Sequence, residues 1–167
     1  MKNITPCLWF DNQAEEAAKF YSSIFKNSRI EGITYYEEES AKASNKPVGA
    51  VLTVYLSIDG QTFMFLNGGP QFKFSEAFSL MIPCDTQEEL DNYWTKLTSD
   101  GGEDSYCGWV KDKYGFSWQL IPSQLKDWML DPDRSKFERV MKAVMGMRKL
   151  NIAELKAAYE GRAVATK

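Results

Sequence analysis

The sequence predicts an α+β fold made of two βαβββ modules and a helical extension at its carboxyl end. Three observations predict it: strand and helix patterns recur in the same order in both halves, each half ends in a short hairpin, and the pattern after Pro122 is helical. We expect the first module at residues 1–70, a second, shorter module at 71–123 and the extension at 124–167. One compact domain would contain all three.

The first module combines one amphipathic helix with four strand-like segments. In order, we expect a strand at 4–10, a helix at 13–25 and strands at 30–36, 48–58 and 61–66. Glu15 and Glu16 lie in the first turn of the helix, where its dipole favours negative charge. Asp59-Gly60 is typical of a two-residue hairpin turn. Residues 37–47 are charged and small and end in a proline, which predicts a mobile loop.

The second module repeats this order. We expect a strand at 77–82, a helix at 87–97, a short strand at 103–106 and a hairpin at 107–122. When Glu88-Glu89 is set on Glu15-Glu16, the aromatic pair Tyr93-Trp94 falls on Phe20-Tyr21. A duplicated module explains this agreement, and chance similarity between two strand–helix pairs is the alternative.

The hairpin at 107–122 poses the main functional question. Alternation along its second strand puts Phe116, Trp118 and Leu120 on one face and Ser117 and Gln119 on the other. The polar face is either the floor of a site or a solvated side of the sheet.

Two helix starts are visible in the extension. Asp131-Pro132-Asp133 predicts a helix start with an Asp cap and Pro132 at the first helical position. Asn151, followed by Glu154, predicts a second start.

Composition excludes several classes of function. The net charge is -3, the pI is about 5.1, and Lys and Arg are scattered, so we expect no nucleic-acid partner. No signal peptide or membrane-spanning run is visible, which predicts a cytoplasmic protein without a membrane partner. The three cysteines show no CxxC spacing and are expected to be free thiols. The chain has no histidine, the commonest general base and metal ligand.

Several short motifs occur together and carry a family resemblance. They are Leu8-Trp9-Phe10-Asp11, Gln13-Ala14-Glu15-Glu16-Ala17, Phe20-Tyr21, Leu66-Asn67-Gly68-Gly69-Pro70, Cys107-Gly108-Trp109 and Tyr114-Gly115-Phe116-Ser117-Trp118-Gln119. The sequence thereby resembles the PhnB-like branch of the vicinal-oxygen-chelate superfamily, which includes glyoxalases, bleomycin-resistance proteins and extradiol dioxygenases. This branch is often named after 3-demethylubiquinone-9 3-methyltransferase. The resemblance implies the glyoxalase/bleomycin-resistance-like fold, a cup-shaped site and a homodimer.

The resemblance also implies where metal ligands would lie. In the metal-using relatives the ligands are His, Gln or Glu, and their positions fall near Thr5, Met64, Phe78 and Gln119. A hydroxyl, a thioether, a phenyl ring and an amide do not supply the imidazole and carboxylate donors that hold iron, zinc or nickel. We therefore expect no metal and no other cofactor.

Five residues are candidates for ligand binding: Cys7, Trp9, Met64, Ser117 and Gln119. Alternation places Cys7, Trp9 and Met64 on one strand face, a soft aromatic lining suited to a planar or apolar molecule. Core packing is the alternative for these three, and a satisfied polar pair or buried water is the alternative for Ser117 and Gln119. No catalytic residue can be assigned, since Cys107 lacks a histidine base and no acid–base carboxylate pair is visible.

The preferred hypothesis is a homodimeric small-molecule-binding protein, or an enzyme of unassigned reaction, with an aromatic pocket for an organic ligand and no metal. A metal-dependent lyase, isomerase or dioxygenase of the same superfamily is one alternative. A 3-demethylubiquinone-9 3-methyltransferase is the other, although neither Gly68-Gly69 nor Gly101-Gly102 forms the glycine-rich strand-to-helix turn of the common methyltransferases.

Overall fold

Two compact units, dividing between Phe74 and Ser75, make up the chain. The computed structural model describes residues 4–162. Each unit has its own four-stranded sheet. The boundaries at 1–70, 71–123 and 124–167 stay predictions.

The first unit contains four strands and two helices. They are β1 (Cys7–Phe10), α1 (Ala14–Ile24), β2 (Ser28–Tyr35), α2 (Glu38–Ser44), β3 (Val51–Ile58) and β4 (Gln61–Asn67). The sheet order is β1-β4-β3-β2, with β1 parallel to β4 and the other neighbours antiparallel. Asp59 and Gly60 both have positive φ, as the predicted hairpin turn between β3 and β4 requires.

Helix α1 covers one face of this sheet. Its buried stripe consists of Ala14, Ala17, Ala18, Tyr21 and Ile24. The small alanines let the helix approach the strands, and the Tyr21 ring meets Phe65 of β4 edge-on at 5.6 Å between centroids. Phe65 also packs with Phe10 of β1, so aromatic side chains from α1, β1 and β4 meet in this core.

The prediction of a mobile loop at 37–47 was wrong, because this segment contains α2. The Glu37 side chain accepts from the backbone at Ser40, while the Ser40 hydroxyl accepts from the Glu37 N–H. Asn45 then ends the helix in the left-handed conformation. This reciprocal cap, with the acidic residue first, supports a helix in a stretch with few apolar residues.

The second unit repeats the arrangement and adds three helices. Its elements are β5 (Ser79–Cys84), α3 (Gln87–Leu97), β6 (Glu103–Asp104), β7 (Trp109–Lys111), β8 (Ser117–Pro122), α4 (Leu125–Leu130), α5 (Arg134–Met145) and α6 (Ile152–Glu160). The sheet order is β5-β8-β7-β6. Strand β5 is parallel to β8, and the other neighbours are antiparallel, as in the first unit. Strand β5 continues through Pro83, beyond the predicted end, because a proline is tolerated in an edge strand.

The helix start predicted at Asn151 is confirmed, whereas the start predicted at Asp131, with Pro132 as the first helical residue, lies two residues later, because Asp131 ends α4 and Asp133 is the cap of α5. The Asp133 side chain accepts from Ser135 N, and the Asn151 side chain accepts from Glu154 N. Arg139 of α5 donates to the carbonyls of Ala158 and Tyr159, at 2.9 Å each, and so joins α5 to the end of α6. Helix α4 has no counterpart in the prediction.

The extension is also bonded to α3. The Gln87 side chain donates to Leu150 O at 3.2 Å and accepts from Ile152 N at 2.9 Å, and Lys149 pairs with Asp91 at 2.7 Å. The element order and the two sheets confirm the predicted α+β class, with paired βαβββ modules and a helical extension. Among the described residues, no helix is long and apolar enough to cross a membrane.

Candidate functional site

Three of the candidate residues lie on the face of the first sheet that α1 does not cover. Cys7 is the strand partner of Met64, and Trp9 is the partner of Leu66. The alternating residues of β1, Leu8 and Phe10, are buried on the helix side. Cys7 is exposed and Met64 is half-buried, so a thiol and a thioether lie side by side on an accessible sheet surface.

Trp9 is fixed by the loop that follows β4. Its Nε1–H donates to Gly69 O at 2.8 Å, and its ring meets Phe72 edge-on at 5.0 Å between centroids. A Cβ at Gly68 would lie 2.2 Å from the indole ring, so only glycine allows the ring to rest there. These contacts order the side chain, and its role in ligand binding stays a prediction.

The other two candidate residues lie on β8 in the second unit. Gln119 donates through Nε2 to Ser79 Oγ at 2.8 Å, which satisfies part of its amide. Ser117 is only 1% exposed, and its Oγ has no hydrogen-bond partner among residues 4–162. A buried hydroxyl without a partner is costly, so Ser117 is the least satisfied of the five candidates.

A cavity of about 350 Å³ lies beside Ser117. Its lining comes from β6, β7, β8 and the segments next to them: Glu76, Glu103, Asp104, Ser105, Tyr106, Cys107, Trp109, Val110, Lys111 and Ser117. This volume falls within the range of small-molecule sites. Cross-strand pairing explains the grouping, since Lys111 is the partner of Ser117 and Trp109 is the partner of Gln119.

Sequence reasoning missed Trp109 and Lys111 as lining residues. Both alternate with the buried Val110, so pairing β7 with β8 in the predicted hairpin would have put them on the face of Ser117 and Gln119. Glu76 precedes β5 and gave no such signal.

Charged groups surround the cavity. Lys111 Nζ pairs with the Glu76 carboxylate, and this hydrogen bond lowers the pKa of Glu76 and raises the pKa of Lys111. Arg148 pairs with Asp104 at 2.7 Å and lowers the pKa of that carboxyl group. Glu103 forms no ion pair with any residue in the described range 4–162. Glu103 is thus the carboxylate of the lining without an ion pair, although its charge helps to raise the pKa of the neighbouring Lys111.

The extension holds one wall of the cavity. Cys107 and Gly108 both have positive φ, and their N–H groups donate to Met147 O at 2.7 Å and Arg148 O at 2.8 Å. The Arg148 side chain also reaches Asp104 O at 2.7 Å. The segment between β6 and β7 is therefore bonded to the connection between α5 and α6.

The residues at the positions implied for metal ligands do not fit a transition metal. Thr5, Met64, Phe78 and Gln119 offer no imidazole, thiolate or carboxylate. Within the part of the chain that the structure describes, no group of three or more His, Cys, Asp or Glu side chains could hold a metal ion. The expectation of a metal-free site stays a prediction.

The three cysteines are free thiols, as expected. Cys84 is fully buried, and burial, with the nearby charges of Glu89 and Asp85, raises its pKa to about 12. Partial desolvation by neighbouring atoms also raises the pKa of Cys7, although this residue is exposed. Cys107 Sγ lies 3.8 Å from Met145 Sδ, a contact that offers no base.

Comparisons with known proteins agree with this architecture. The family model described as 3-demethylubiquinone-9 3-methyltransferase matches residues 2–121. A PhnB protein from Bacillus cereus whose description carries the same activity name has 35% sequence identity and a TM-score of 0.63, covering 72% of this chain and 99% of its own. The comparison with curated proteins found no match.

Two more distant structures share the fold. A protein from Pseudomonas aeruginosa is 17% identical with a TM-score of 0.57, covering 73% of this chain and 98% of its own. The fosfomycin resistance protein FosX from Listeria monocytogenes, in complex with Mn(II) and sulfate, is 14% identical with a TM-score of 0.51. The match covers 77% of this chain and 94% of the FosX chain. The vicinal-oxygen-chelate fold expected from the sequence is confirmed.

Proposed function

The chain belongs to the 3-demethylubiquinone-9 3-methyltransferase family of the vicinal-oxygen-chelate superfamily, and we propose that it binds a small organic molecule in the cavity beside Ser117. The observation that carries the proposal is the Ser117 hydroxyl, buried at the cavity and without a hydrogen-bond partner in residues 4–162. A ligand that hydrogen-bonds this oxygen would remove the cost of leaving it unsatisfied.

The rest of the lining suits such a ligand. Trp109 and Tyr106 provide aromatic surface, and the carboxylates and Lys111 provide polar groups around it. Apolar surface with a few directed polar groups is typical of small-molecule sites. Binding, or a reaction still to be assigned, is therefore the activity that the cavity supports best.

A pair of serine variants tests this proposal. Ser22 is the matched control for Ser117, because its buried Oγ also lacks a partner among the described residues but lies in α1. We expect small aromatic fragments carrying one amine or hydroxyl group to shift the Trp109 indole signal in two-dimensional NMR titrations. Ser117→Ala should weaken the best fragment about three- to tenfold, the value of one hydrogen bond, and Ser22→Ala should leave it unchanged. Equal effects of the two substitutions, or fragments that leave Trp109 unmoved, would refute the proposal.

Methyl transfer is the second candidate because the family carries that name. Gly68-Gly69 packs against Trp9 and is followed by Pro70, and Gly101-Gly102 follows α3, so neither opens a helix after a strand. Adding S-adenosylmethionine in a thermal-shift assay tests this candidate, since a ligand of the folded state must raise the melting temperature. An unchanged melting temperature at millimolar cofactor would exclude this route.

A metal-dependent lyase, isomerase or dioxygenase is the third candidate, and the Mn(II) in FosX is its reason. The donors at Thr5, Met64, Phe78 and Gln119 argue against it. The same assay with Mn²⁺, Zn²⁺ and Ni²⁺ should leave the melting temperature unchanged. A rise that Gln119→Ala abolishes would restore the metal-dependent class.

We also propose that the protein forms a homodimer. Phe78 and Met81, at and beside the edge strand β5, are more than half exposed. Exposed apolar side chains of this size at a sheet edge are typical of association surfaces. Light scattering should give twice the mass of one chain, and Met81→Lys should shift it towards the monomer, whereas Met129→Lys in α4 should not.

A further inference from the structure

The charges that line the cavity beside Ser117 are unbalanced. Three carboxylates, those of Glu76, Glu103 and Asp104, face one ammonium group, that of Lys111. Lys111 is already bound to Glu76, and Arg148 binds Asp104 from outside the lining. The charge left over is the negative charge of Glu103.

An anionic ligand has little to bind here. Lys111 is the single cation among the lining residues, and both its salt-bridge partner and its strand partner on the β6 side, Glu103, are acidic. A carboxylate or phosphate would displace this pairing and meet three like charges. A cation meets the opposite situation, because the Glu103 carboxylate forms no ion pair within residues 4–162 and can pair with it.

Aromatic surface on this wall is also compatible with cations. The guanidinium of Arg148 lies over the Tyr106 ring at 4.9 Å from its centroid. The Trp109 ring lines the same cavity, and no cation stacks on it among the described residues. An indole face is the strongest of the aromatic partners for an ammonium group or for the flat part of an amine.

Ser117 gives an independent sign of a ligand. Its hydroxyl is buried, lines the cavity and lacks a partner in the described chain, so it can accept a hydrogen bond from an N–H or O–H group. We infer that the cavity takes a small organic amine, whose ammonium group pairs with Glu103 and donates a hydrogen bond to Ser117, and whose flat or apolar part lies against Trp109. This inference rests on the proposed function and names the class of its ligand.

Three probes of similar shape and different charge test the inference: 2-phenylethylamine, 2-phenylethanol and 3-phenylpropionate. Titrations at pH 7 in 20 mM salt, followed by the Trp109 indole signal, should give the order amine, alcohol, carboxylate. We expect the amine to bind about three- to fivefold more tightly than the alcohol, the value of one exposed ion pair. Raising the salt to 0.5 M should remove this preference, because exposed charges are screened.

Two glutamate variants separate the charge from other effects. Glu103→Gln should reduce the affinity for the amine to that for the alcohol and leave the alcohol itself unchanged. Glu138→Gln, on the exposed side of α5, is the control and should change neither affinity.

The outcomes distinguish this inference from the proposed function. If the alcohol binds and the amine shows no salt-sensitive advantage, or if Glu103→Gln preserves that advantage, the amine assignment is wrong and the cavity remains a ligand site. Tighter binding of the carboxylate would also overturn the assignment alone. If none of the three probes shifts Trp109 at 20 mM concentration, both the amine assignment and the ligand cavity are refuted.

Discussion

Among single residues, Asp112 orders the turn of the second hairpin. Its side chain is 2% exposed, and its Oδ1 accepts from Tyr114 N at 2.9 Å and from Phe116 N at 3.1 Å. Its Oδ2 accepts from Trp118 Nε1 at 2.8 Å. One carboxylate thus satisfies two buried donors and one part-buried donor, and it fixes the turn that leads into the strand carrying Ser117.

Replacing Asp112 should therefore destabilise the protein strongly. We expect Asp112→Ala to lower the free energy of unfolding by about 3 kcal/mol or more, because three N–H groups lose their acceptor. Urea denaturation measures the change, and Asp127→Ala, at an exposed position in α4, is the control with an expected effect below about 0.5 kcal/mol. A loss as small as that of the control would show that the turn does not depend on this carboxylate.

Cys84 predicts how stability responds to alkaline pH. Its pKa is raised to about 12 in the folded protein, first by burial, whereas an unfolded thiol titrates near pH 9. Above pH 9 the unfolded chain loses this proton and the folded chain keeps it, so the unfolded state is favoured as pH rises. The free energy of unfolding should fall by up to about 1.4 kcal/mol per pH unit from this thiol between pH 9 and 12.

The variant Cys84→Ala isolates this contribution. It removes a small buried side chain, so it should be less stable than the parent at pH 7 by about 1 kcal/mol. The difference should shrink above pH 8.5 and reverse before pH 10.5, as measured by urea denaturation at each pH. A difference independent of pH would mean that Cys84 ionises equally in both states.

At the scale of elements, the hairpin formed by β7 and β8 joins the extension at Gly108. Gly108 has a φ of 82°, and a Cβ there would lie 2.6 Å from Leu120 O and 3.0 Å from the Leu150 side chain. Gly115, in the turn of the same hairpin, has a φ of 80° with open space around it. The two glycines share the backbone conformation and differ in their surroundings.

Alanine substitutions at these glycines should separate strain from crowding. Gly115→Ala should cost about 1 kcal/mol, the penalty for positive φ. Gly108→Ala should cost about 2 kcal/mol more, because a strand carbonyl cannot move away without breaking the sheet. Thermal or urea unfolding gives both values, and equal costs would show that the joint with the extension is loose.

The elements whose sequence signals lie within a single segment could be predicted from the sequence. Helix α3 runs from Gln87 to Leu97 as predicted, since its apolar spacing and acidic first turn act within one segment. The turn at Asp59-Gly60 is confirmed for the same reason. Helix α2 was missed because its signal is a reciprocal cap between Glu37 and Ser40, with Ala41 as its single buried residue.

The candidate site could be predicted only in part. Strand alternation was enough to predict Ser117 as a candidate residue. The cavity around it depends on which strands pair and on Glu76, which lies outside every strand. The burial of Ser117 also depends on tertiary packing, which alternation does not specify. The chemistry of a strand face can be predicted locally, whereas the set of residues that converge on it cannot.

At the scale of the whole molecule, the extension is an addition to one unit of the family fold. The family model ends at residue 121, before α4 begins. The extension nevertheless buries Leu150 and Leu155 and is bonded to α3 and to the segment between β6 and β7, all within the second unit. Its loss should affect the second sheet and spare the first.

A chain that ends at Ser123 tests this division of stability. We expect it to fold, because the matched family region is retained, but to exchange its amide hydrogens faster at residues 87–91 and 104–108, where bonds to the extension are lost. Exchange in β3 and β4 should stay at the level of the full chain and serves as the internal control. Since residues 104–107 form a wall of the cavity, affinity for 2-phenylethylamine should fall in the same variant. Faster exchange in both sheets alike, or unchanged exchange at 104–108, would contradict an extension that stabilises the ligand site through the second unit.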